Sequence, residues 1–158
     1  MILRFRMLSD ENDNFVRDFE VEPMMKLSEF HNFIIRSLGY DDCMASFFTA
    51  DDEWQRCREF TLMDMGDTGY EGEDAPLPMD KVTLAEIIVA DYSRLIYLFD
   101  IFAERAYYIE LVSSSEPNPE LTYPRLSFEN APVPDQYDPD AVDSNSCSIF
   151  DEMMGDFG

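Results

Sequence analysis

Two apolar runs in the second half of the chain constrain the fold more than any other feature of the sequence. RLIYLFDIF begins at Arg94 and RAYYIELV begins at Arg105, so only a few residues separate them. Both runs are rich in Ile, Leu, Phe and Tyr, a composition typical of buried strands. Because so short a connection leaves room for a turn and not for a crossover helix, the two strands pair as an antiparallel hairpin. We expect this hairpin to be central in a sheet.

The first 39 residues predict two more strands and a helix. Apolar and charged residues alternate over residues 2–8 and again over residues 15–22, which is the period of a half-buried strand. The polar SDENDN between them has loop chemistry, so the chain opens with a hairpin. From Leu27 to Leu38 apolar residues recur every three or four positions, as in an amphipathic helix. Gly39 then stands where a left-handed C-terminal cap belongs.

The middle of the chain supplies the remaining elements. Residues 44–50 and 59–63 are short candidate strands, whereas residues 66–80 carry glycines, prolines and acids without periodicity and predict an exposed loop. Thr83 and Glu86 have the spacing of a capping box, which predicts a short helix from there to about residue 90.

The resulting order is ββαββαββ. Paired strands with helices between the pairs predict an α+β fold, in which a mostly antiparallel or mixed sheet carries both helices on one face. The opening ββα unit is also how a β-grasp-like sheet begins. Among 158 residues, 46% apolar and 14% aromatic side chains are enough for one core.

The C-terminal residues differ in character from the rest. We expect the folded domain to cover residues 1–126, because residues 127–158 hold acids and three prolines but no Lys or Arg. This composition predicts an acidic, largely disordered tail. The apolar spacing of residues 149–157 leaves open that the last stretch docks on the domain as a short helix.

The charge of the chain limits its partners. With 34 acidic residues, 11 basic residues and one histidine, the formal net charge is -23. A field of this sign repels phosphate backbones and anionic membranes, so we expect no direct binding to nucleic acid or to membranes. The same charge suits recognition of a basic protein. It also suits imitation of nucleic acid, with carboxylates placed where phosphates would lie.

Cysteine usage and the N-terminal residues bear on compartment and cofactors. Cys43, Cys57 and Cys147 form no C-x-x-C pair, which favours reduced thiols over a disulfide framework or a zinc site. Arg4 and Arg6 interrupt the first apolar residues, and no window approaches the roughly 18 apolar residues of a membrane helix. We therefore expect a soluble cytoplasmic protein without cofactor or metal. The sequence leaves its oligomeric state open.

Several segments occur in an order that is informative as a combination. After the opening hairpin come LSEFHNFIIRSLGYDD, MASFFTADDEW, EFTLMDMG, LIYLFD and YPRL. In this order the chain resembles the plasmid pRiA4b ORF-3-like family, in its shorter and acidic branch. The resemblance implies an α+β domain over most of residues 1–126, and it implies no settled biochemical activity.

The chain also departs from that family's pattern. Many relatives read F-D-Y-G-D-x-W-x-H-x-I near the late hairpin, where this chain reads FDIFAERAYYI. Asp100 is retained, but Arg105 replaces the tryptophan and Tyr107 replaces the histidine. Relatives also often carry a C-P-P-E-D-C-like cluster after Y-P-R, where this chain has APVPDQY. A polar or metal site formed by those motifs in relatives is therefore not carried over to this chain.

The paired acids and the histidine have structural interpretations. Asp41-Asp42 and Asp51-Asp52 flank the predicted strand at 44–50, and adjacent residues on a strand point to opposite faces, so we predict solvated strand ends rather than a carboxylate site. His31 falls on the apolar stripe of the helix and is expected to be a partly buried residue with one hydrogen bond. No residue is predicted to be catalytic.

The remaining candidates concern interaction. Trp54 is predicted to close one edge of a core, with a surface anchor for a partner as the alternative. Arg94, Arg105 and Arg125 are predicted to pair with surplus carboxylates, with a local basic spot within the acidic body as the alternative. The possible interaction residues are thus Trp54, His31, Asp51, Asp52, Asp100 and Arg105.

Taken together, these features predict a non-enzymatic acidic protein-interaction domain with a basic protein as its partner. Two alternatives stay open at this point. In the first, the protein mimics nucleic acid and binds a basic DNA-binding protein. In the second, it is an enzyme with an acid-lined cleft and His31 as its base.

Overall fold

The structure of the chain is a computed structural model that describes residues 1–41, 44–62, 77–88, 93–101 and 103–136. Most of the predicted loop at 66–80 and the whole apolar stretch at 149–157 lie outside these residues, as does Asp42. The predictions for those positions stay predictions.

In chain order the elements of the described residues are β1 (Ile2–Ser9), β2 (Val16–Val21), α1 (Leu27–Leu38), β3 (Ser46–Ala50), β4 (Arg56–Thr61), β5 (Leu77–Pro78), α2 (Leu84–Ile87), β6 (Arg94–Asp100), β7 (Arg105–Ser115) and β8 (Arg125–Asn130). These eight strands form one mixed sheet in the spatial order β5-β4-β3-β6-β7-β1-β2-β8. Neighbouring strands pair antiparallel except β4 and β5, which are parallel. The two α-helices of the described part accompany the sheet, which is an architecture of the α+β or mostly-β kind.

The central hairpin is where the sequence predicts it. β6 and β7 occupy the fourth and fifth positions of the eight-stranded sheet and pair antiparallel, with Leu95 opposite Ile109. Leu95, Tyr97 and Ile109 are fully buried in the main core. The short connection and the apolar runs therefore determine both the pairing and the central place of these strands.

The observed order contains two strands that the sequence pattern does not predict. β5 has only two residues, and β8 pairs with β2 at the far edge of the sheet. β8 is exposed along much of its length, and only Leu126 and Phe128 alternate with its polar residues, which is too short a pattern to predict a strand. The predicted boundary at residue 126 falls inside β8, and residues 127–136 belong to the described fold. Residues 137–158 lie outside the described part.

Helix α1 supplies the centre of the core. Phe30 is fully buried, its ring stacks on Phe47 with centroids 5.7 Å apart, and it contacts Phe5 and Phe19 at 5.6 and 6.2 Å. Buried residues of α2 belong to the same cluster of core side chains. Neither helix is long and apolar enough to cross a membrane, within the residues that the structure describes.

The ends of both helices follow the predicted capping chemistry with one difference. Gly39 has φ +74° and ψ +23°, the left-handed cap that ends α1, and the N–H of Tyr40 then donates to the carbonyl of Ile35 at 2.9 Å. At α2, the Glu86 carboxylate accepts from the backbone N–H of Thr83 at 2.7 Å, as a capping box requires. The Thr83 hydroxyl, however, donates to that carboxylate at 3.1 Å, and α2 is described only to Ile87.

The outer face of the sheet carries its own smaller cluster of side chains. Ile96 and Leu98 alternate with the core residues of β6, and with Ala50 and Ala106 they form an apolar group that is nearly buried. In the opening hairpin, Asp18 on β2 is fully buried, although the alternation of apolar and charged residues marks its position as polar. Arg4 and Arg6 on β1 donate hydrogen bonds to its carboxylate.

Candidate functional site

Three loops and the start of a fourth segment meet at one end of the sheet. In the β1–β7 register Ser9 lies opposite Tyr107, so the β1–β2 loop and the β6–β7 turn leave the sheet at the same end. In the β2–β8 register Val16 lies opposite Asn130, which sends the chain after β8 to that end as well. We call residues 10–15, 100–101, 103–104 and 131–136, together with Asp41, the loop end.

Arg105 joins these segments. Its guanidinium donates to both carboxylate oxygens of Glu11 at 2.8 Å and to the backbone carbonyls of Asp135 and Gln136 at 2.7 and 2.9 Å. It also stacks over the ring of Phe99 at 4.9 Å from the centroid, and its side chain is only 11% exposed. Arg105 therefore pairs with a surplus carboxylate, as predicted, and it additionally fixes the segment after β8.

Two tyrosine hydroxyls also form hydrogen bonds at the loop end. Tyr40, which follows the cap of α1, donates to the carbonyl of Pro134 at 2.6 Å, and its oxygen lies 2.5 Å from the Tyr107 hydroxyl. Since the Tyr40 proton goes to Pro134, Tyr107 is the donor to Tyr40. Burial raises the pKa of Tyr40 to about 12 and raises the pKa of Tyr107 further. Both hydroxyls are therefore neutral at physiological pH and serve as hydrogen-bonding groups.

The segment 131–136 is held at further points. The buried Arg17 donates to the carbonyls of Asn130 and Ala131 at 2.8 and 2.9 Å. The side-chain amide of Gln136 accepts from the N–H of Asp41 at 2.8 Å and donates to its carbonyl at 2.9 Å. These bonds satisfy backbone groups of an irregular segment and hold it in place, and with it the carboxylate of Asp135.

The surface of the loop end is acidic. Asp100 is half-buried, its carboxylate accepts from the N–H of Ala103 at 3.1 Å, and it lies 3.7 Å from the Arg105 guanidinium. The hydrogen bond from Arg105 to Glu11 raises the pKa of the guanidinium, so its positive charge is permanent. Within the described residues, the exposed acids of the loop end are Asp10, Glu11, Asp13, Asp41, Glu104 and Asp135.

The other predicted interaction residues lie elsewhere. Asp51, Asp52 and Trp54 form the turn between β3 and β4, at the end of the sheet opposite the loop end. The Asp51 carboxylate accepts from the N–H groups of Glu53 and Gln55 at 2.9 Å, so it organises the turn. Asp52 is exposed and accepts a bond from Arg94 on its carbonyl. Both acids thus follow directly after strand β3, as the strand-end interpretation predicts.

Trp54 closes an edge of the outer-face cluster. Its backbone has φ +63°, an uncommon conformation for an aromatic residue, and its ring packs edge-on against Tyr108 with centroids 5.3 Å apart. The Arg94 guanidinium lies 4.8 Å above the indole ring. The turn and these two neighbours hold the indole half-buried on the open face of the sheet.

His31 is a core residue. Its side chain lies on the buried stripe of α1, the residue is 3% exposed, and its Nδ1 is 2.6 Å from the hydroxyl of the fully buried Tyr97. A general base needs access to its substrate. The ring is therefore placed for packing and hydrogen bonding within the core.

The described residues contain no group of three or more His, Cys, Asp or Glu side chains that could hold a metal ion. Tyr40, Glu11 and Gln136, which build the loop end, are not among the residues that the sequence marks as candidates. Only Tyr40 had a local signal, because it follows the predicted cap at Gly39. The contacts of Glu11 and Gln136 span more than ninety residues of sequence.

The loop end brings together the two places at which the chain departs from its relatives. Arg105 and Tyr107 stand at the tryptophan and histidine positions, and Pro134 and Asp135 belong to the segment APVPDQY, which stands where relatives often carry a C-P-P-E-D-C-like cluster. Here these positions are joined by tyrosine hydroxyls, a guanidinium and backbone carbonyls.

These observations define an acidic mixed-sheet domain whose loops are tied together at one end. The profile of the plasmid pRiA4b ORF-3-like protein family matches residues 3–141, and the chain belongs to this family. No curated protein matches the chain. Among solved structures, the fold is similar to a protein of unknown function from Methanosarcina mazei Go1, with a TM-score of 0.67 and 11% identity over 84% of this chain and 70% of that chain. At this identity the likeness shows the fold alone.

Proposed function

We propose that the protein is a non-enzymatic, cytoplasmic interaction domain whose loop end binds a basic segment of a partner protein. The observation that supports this proposal most is that the loop end carries exposed acids on several segments, which Arg105, Arg17 and Tyr40 hold in place by hydrogen bonds. Asp13, Glu104 and Asp135 are exposed, and their side chains form no ion pair with any described residue. Carboxylates that are free of internal partners are available to a basic partner.

The rigidity of the frame strengthens the proposal. Segments that are ordered before binding lose less conformational entropy when a partner docks. The hydrogen bonds of Arg105, Arg17 and Tyr40 order residues 131–136 in the free protein. The overall charge of -23 adds long-range attraction, which raises the rate of encounter with a basic protein.

The other functions proposed from the sequence gain less support. The enzyme hypothesis relied on His31 as its base, and that side chain is almost fully buried. Nucleic-acid mimicry rests on the net charge, which suits any basic partner equally well. The β-grasp-like opening, with both helices on one face, is proposed as the framework of the domain.

The proposal is tested by affinity capture from the source organism with matched baits. The loop-end triple variant, Asp13→Asn, Glu104→Gln and Asp135→Asn, removes three exposed acids at the site. The control triple variant, Asp80→Asn, Glu116→Gln and Glu120→Gln, removes three exposed acids elsewhere and causes the same change in net charge.

We expect a basic protein that is captured by the wild type and the control triple but lost with the loop-end triple. A third bait, which lacks residues 137–158 but keeps β8 and residues 131–136, should still capture this basic protein. If DNA displaces the captured protein, the mimicry hypothesis gains support. Equal capture by both triples would contradict a role for the loop end.

A further inference from the structure

A cleft lies near the β5 edge of the sheet, between strands β3 and β4 and helix α2. It is open to solvent and has a volume of about 480 Å³, within the range of roughly 300–1,000 Å³ typical of small-molecule sites. Its described apolar walls are formed by Phe60, Leu77, Val82 and Ile87. Thr49, Arg58, Lys81 and Glu86 add polar groups. None of these residues belongs to the loop end.

Two cations line this cleft without an ion pair in the described part of the chain. Arg4 and Arg6 bind Asp18, and Arg125 binds Glu20. Arg58 and Lys81, by contrast, are joined to no described carboxylate.

Arg58 carries the strongest sign of a missing partner. Its Nε is buried and forms no hydrogen bond with any described residue. A buried donor without an acceptor is unfavourable, and a ligand that supplies one relieves that cost. Arg17 also has an unpaired Nε, but its terminal nitrogens donate to three backbone carbonyls. Arg58 has no such set of bonds.

The described carboxylate that lines the cleft belongs to Glu86 and already accepts hydrogen bonds within the chain. The Glu86 carboxylate accepts from the N–H and the hydroxyl of Thr83, and these bonds lower its pKa. These bonds hold the carboxylate at the start of α2. The apolar walls favour a hydrocarbon body attached to the anionic head.

We propose that this cleft binds a small organic anion with an apolar body, its oxyanion head on Arg58 and Lys81 and its hydrocarbon part against Phe60, Val82 and Ile87. A guanidinium binds carboxylate and phosphate oxygens with two parallel hydrogen bonds, so both head groups share the required chemistry. The proposal concerns a site separate from the loop end and does not rest on the proposed interaction function.

Calorimetric titration of the full chain with four probes tests the site. The probes are hexanoate, hexyl phosphate, acetate and hexanol. We expect at least one of the two six-carbon anions to bind about tenfold or more tightly than hexanol, which lacks the charge, and than acetate, which lacks the body. The preferred head group is then carboxylate or phosphate, according to which six-carbon anion is tighter.

Variants assign the binding to the cleft. Arg58→Gln and Lys81→Gln should each weaken the tighter anion about tenfold, while Arg36→Gln, on the exposed face of α1, should leave it unchanged. Lys81 is exposed, so its variant keeps the test valid if Arg58→Gln does not fold. The loop-end triple variant should bind as the wild type does. Hexanol binding as tightly as both anions, no binding by any probe, or wild-type affinity in the Lys81 variant would overturn the proposal.

Discussion

Replacing Arg105 with methionine tests how the loop end is held together. The substitution keeps an unbranched side chain against Phe99 but removes every hydrogen-bond donor. The lost bonds join three segments that are far apart in sequence, through Glu11, Asp135 and Gln136. We therefore expect both a loss of global stability and a local release of residues 131–136.

The magnitude follows from the exposure of each contact. Glu11 is 35% exposed, so its ion pair with Arg105 contributes only about 0.5–1 kcal/mol. The two bonds to backbone carbonyls contribute about 1 kcal/mol each. The total of about 2.5–3 kcal/mol corresponds to a fall in Tm of roughly 5–12 °C for a domain of this size.

Urea unfolding at pH 7 measures this loss, with fluorescence of the single tryptophan as the probe. Trp54 lies at the other end of the sheet, so its signal reports global unfolding rather than a local change at the substitution. Hydrogen exchange at residues 131–136 reports the local release. Arg36→Met is the matched control, because Arg36 is exposed and makes one bond, to the carbonyl of Asn32. We expect it to cost less than about 0.5 kcal/mol. A similarly small effect at Arg105, with unchanged exchange, would refute the reasoning.

Substitutions at three further positions test the framework in urea unfolding. Asp18→Asn should cost about 2 kcal/mol at pH 7, since Arg4 and Arg6 lose their shared carboxylate. Burial alone would raise the pKa of the Asp18 carboxyl, but bonds from both arginines hold it below its usual value. This stabilisation is therefore present above the unfolded pKa of about 3.9 and is lost as pH falls through the lower folded value, and a pH-independent gap between wild type and variant would contradict it. Phe30→Ala should cost about 3–5 kcal/mol, as expected for a fully buried ring, and a cost below about 1 kcal/mol would contradict its central place. Gly39→Ala should cost about 1–2 kcal/mol because φ is +74°, although no atom lies within 4 Å of the added carbon; Gly39→Asn should cost less, and the reverse ranking would contradict the cap.

Local patterns predict the central elements of this fold. The β6–β7 hairpin, the opening hairpin and helix α1 follow from apolar spacing and from turn and cap residues within each segment. Gly39 is an example, since its place after the stripe of α1 predicts the left-handed cap and so the direction of Tyr40. The partial burial proposed for His31 also follows from that stripe, and in the structure its burial is nearly complete.

The remaining features depend on contacts between distant segments. Asp18 alternates as a polar residue, and only the register of β1 against β2 explains its burial beneath two arginines. β8 is an edge strand held by its pairing with β2, and its two apolar residues are too few to predict a strand. The loop end likewise depends on pairs such as Arg105 with Glu11, whose proximity follows from strand order rather than from spacing along the chain.

The most direct test of the central claim is a measurement of where a basic partner binds. The dissociation constant of the partner captured by the wild type is determined for the wild type, the loop-end triple and the control triple at two salt concentrations. Three lost charge pairs of about 0.5–1 kcal/mol each predict at least about tenfold weaker binding for the loop-end triple. The loop-end triple should also show a smaller salt dependence, whereas the control triple should stay within about twofold of the wild type. Equal weakening in both triples would show that net charge alone attracts the partner, and it would contradict the loop end as the binding site.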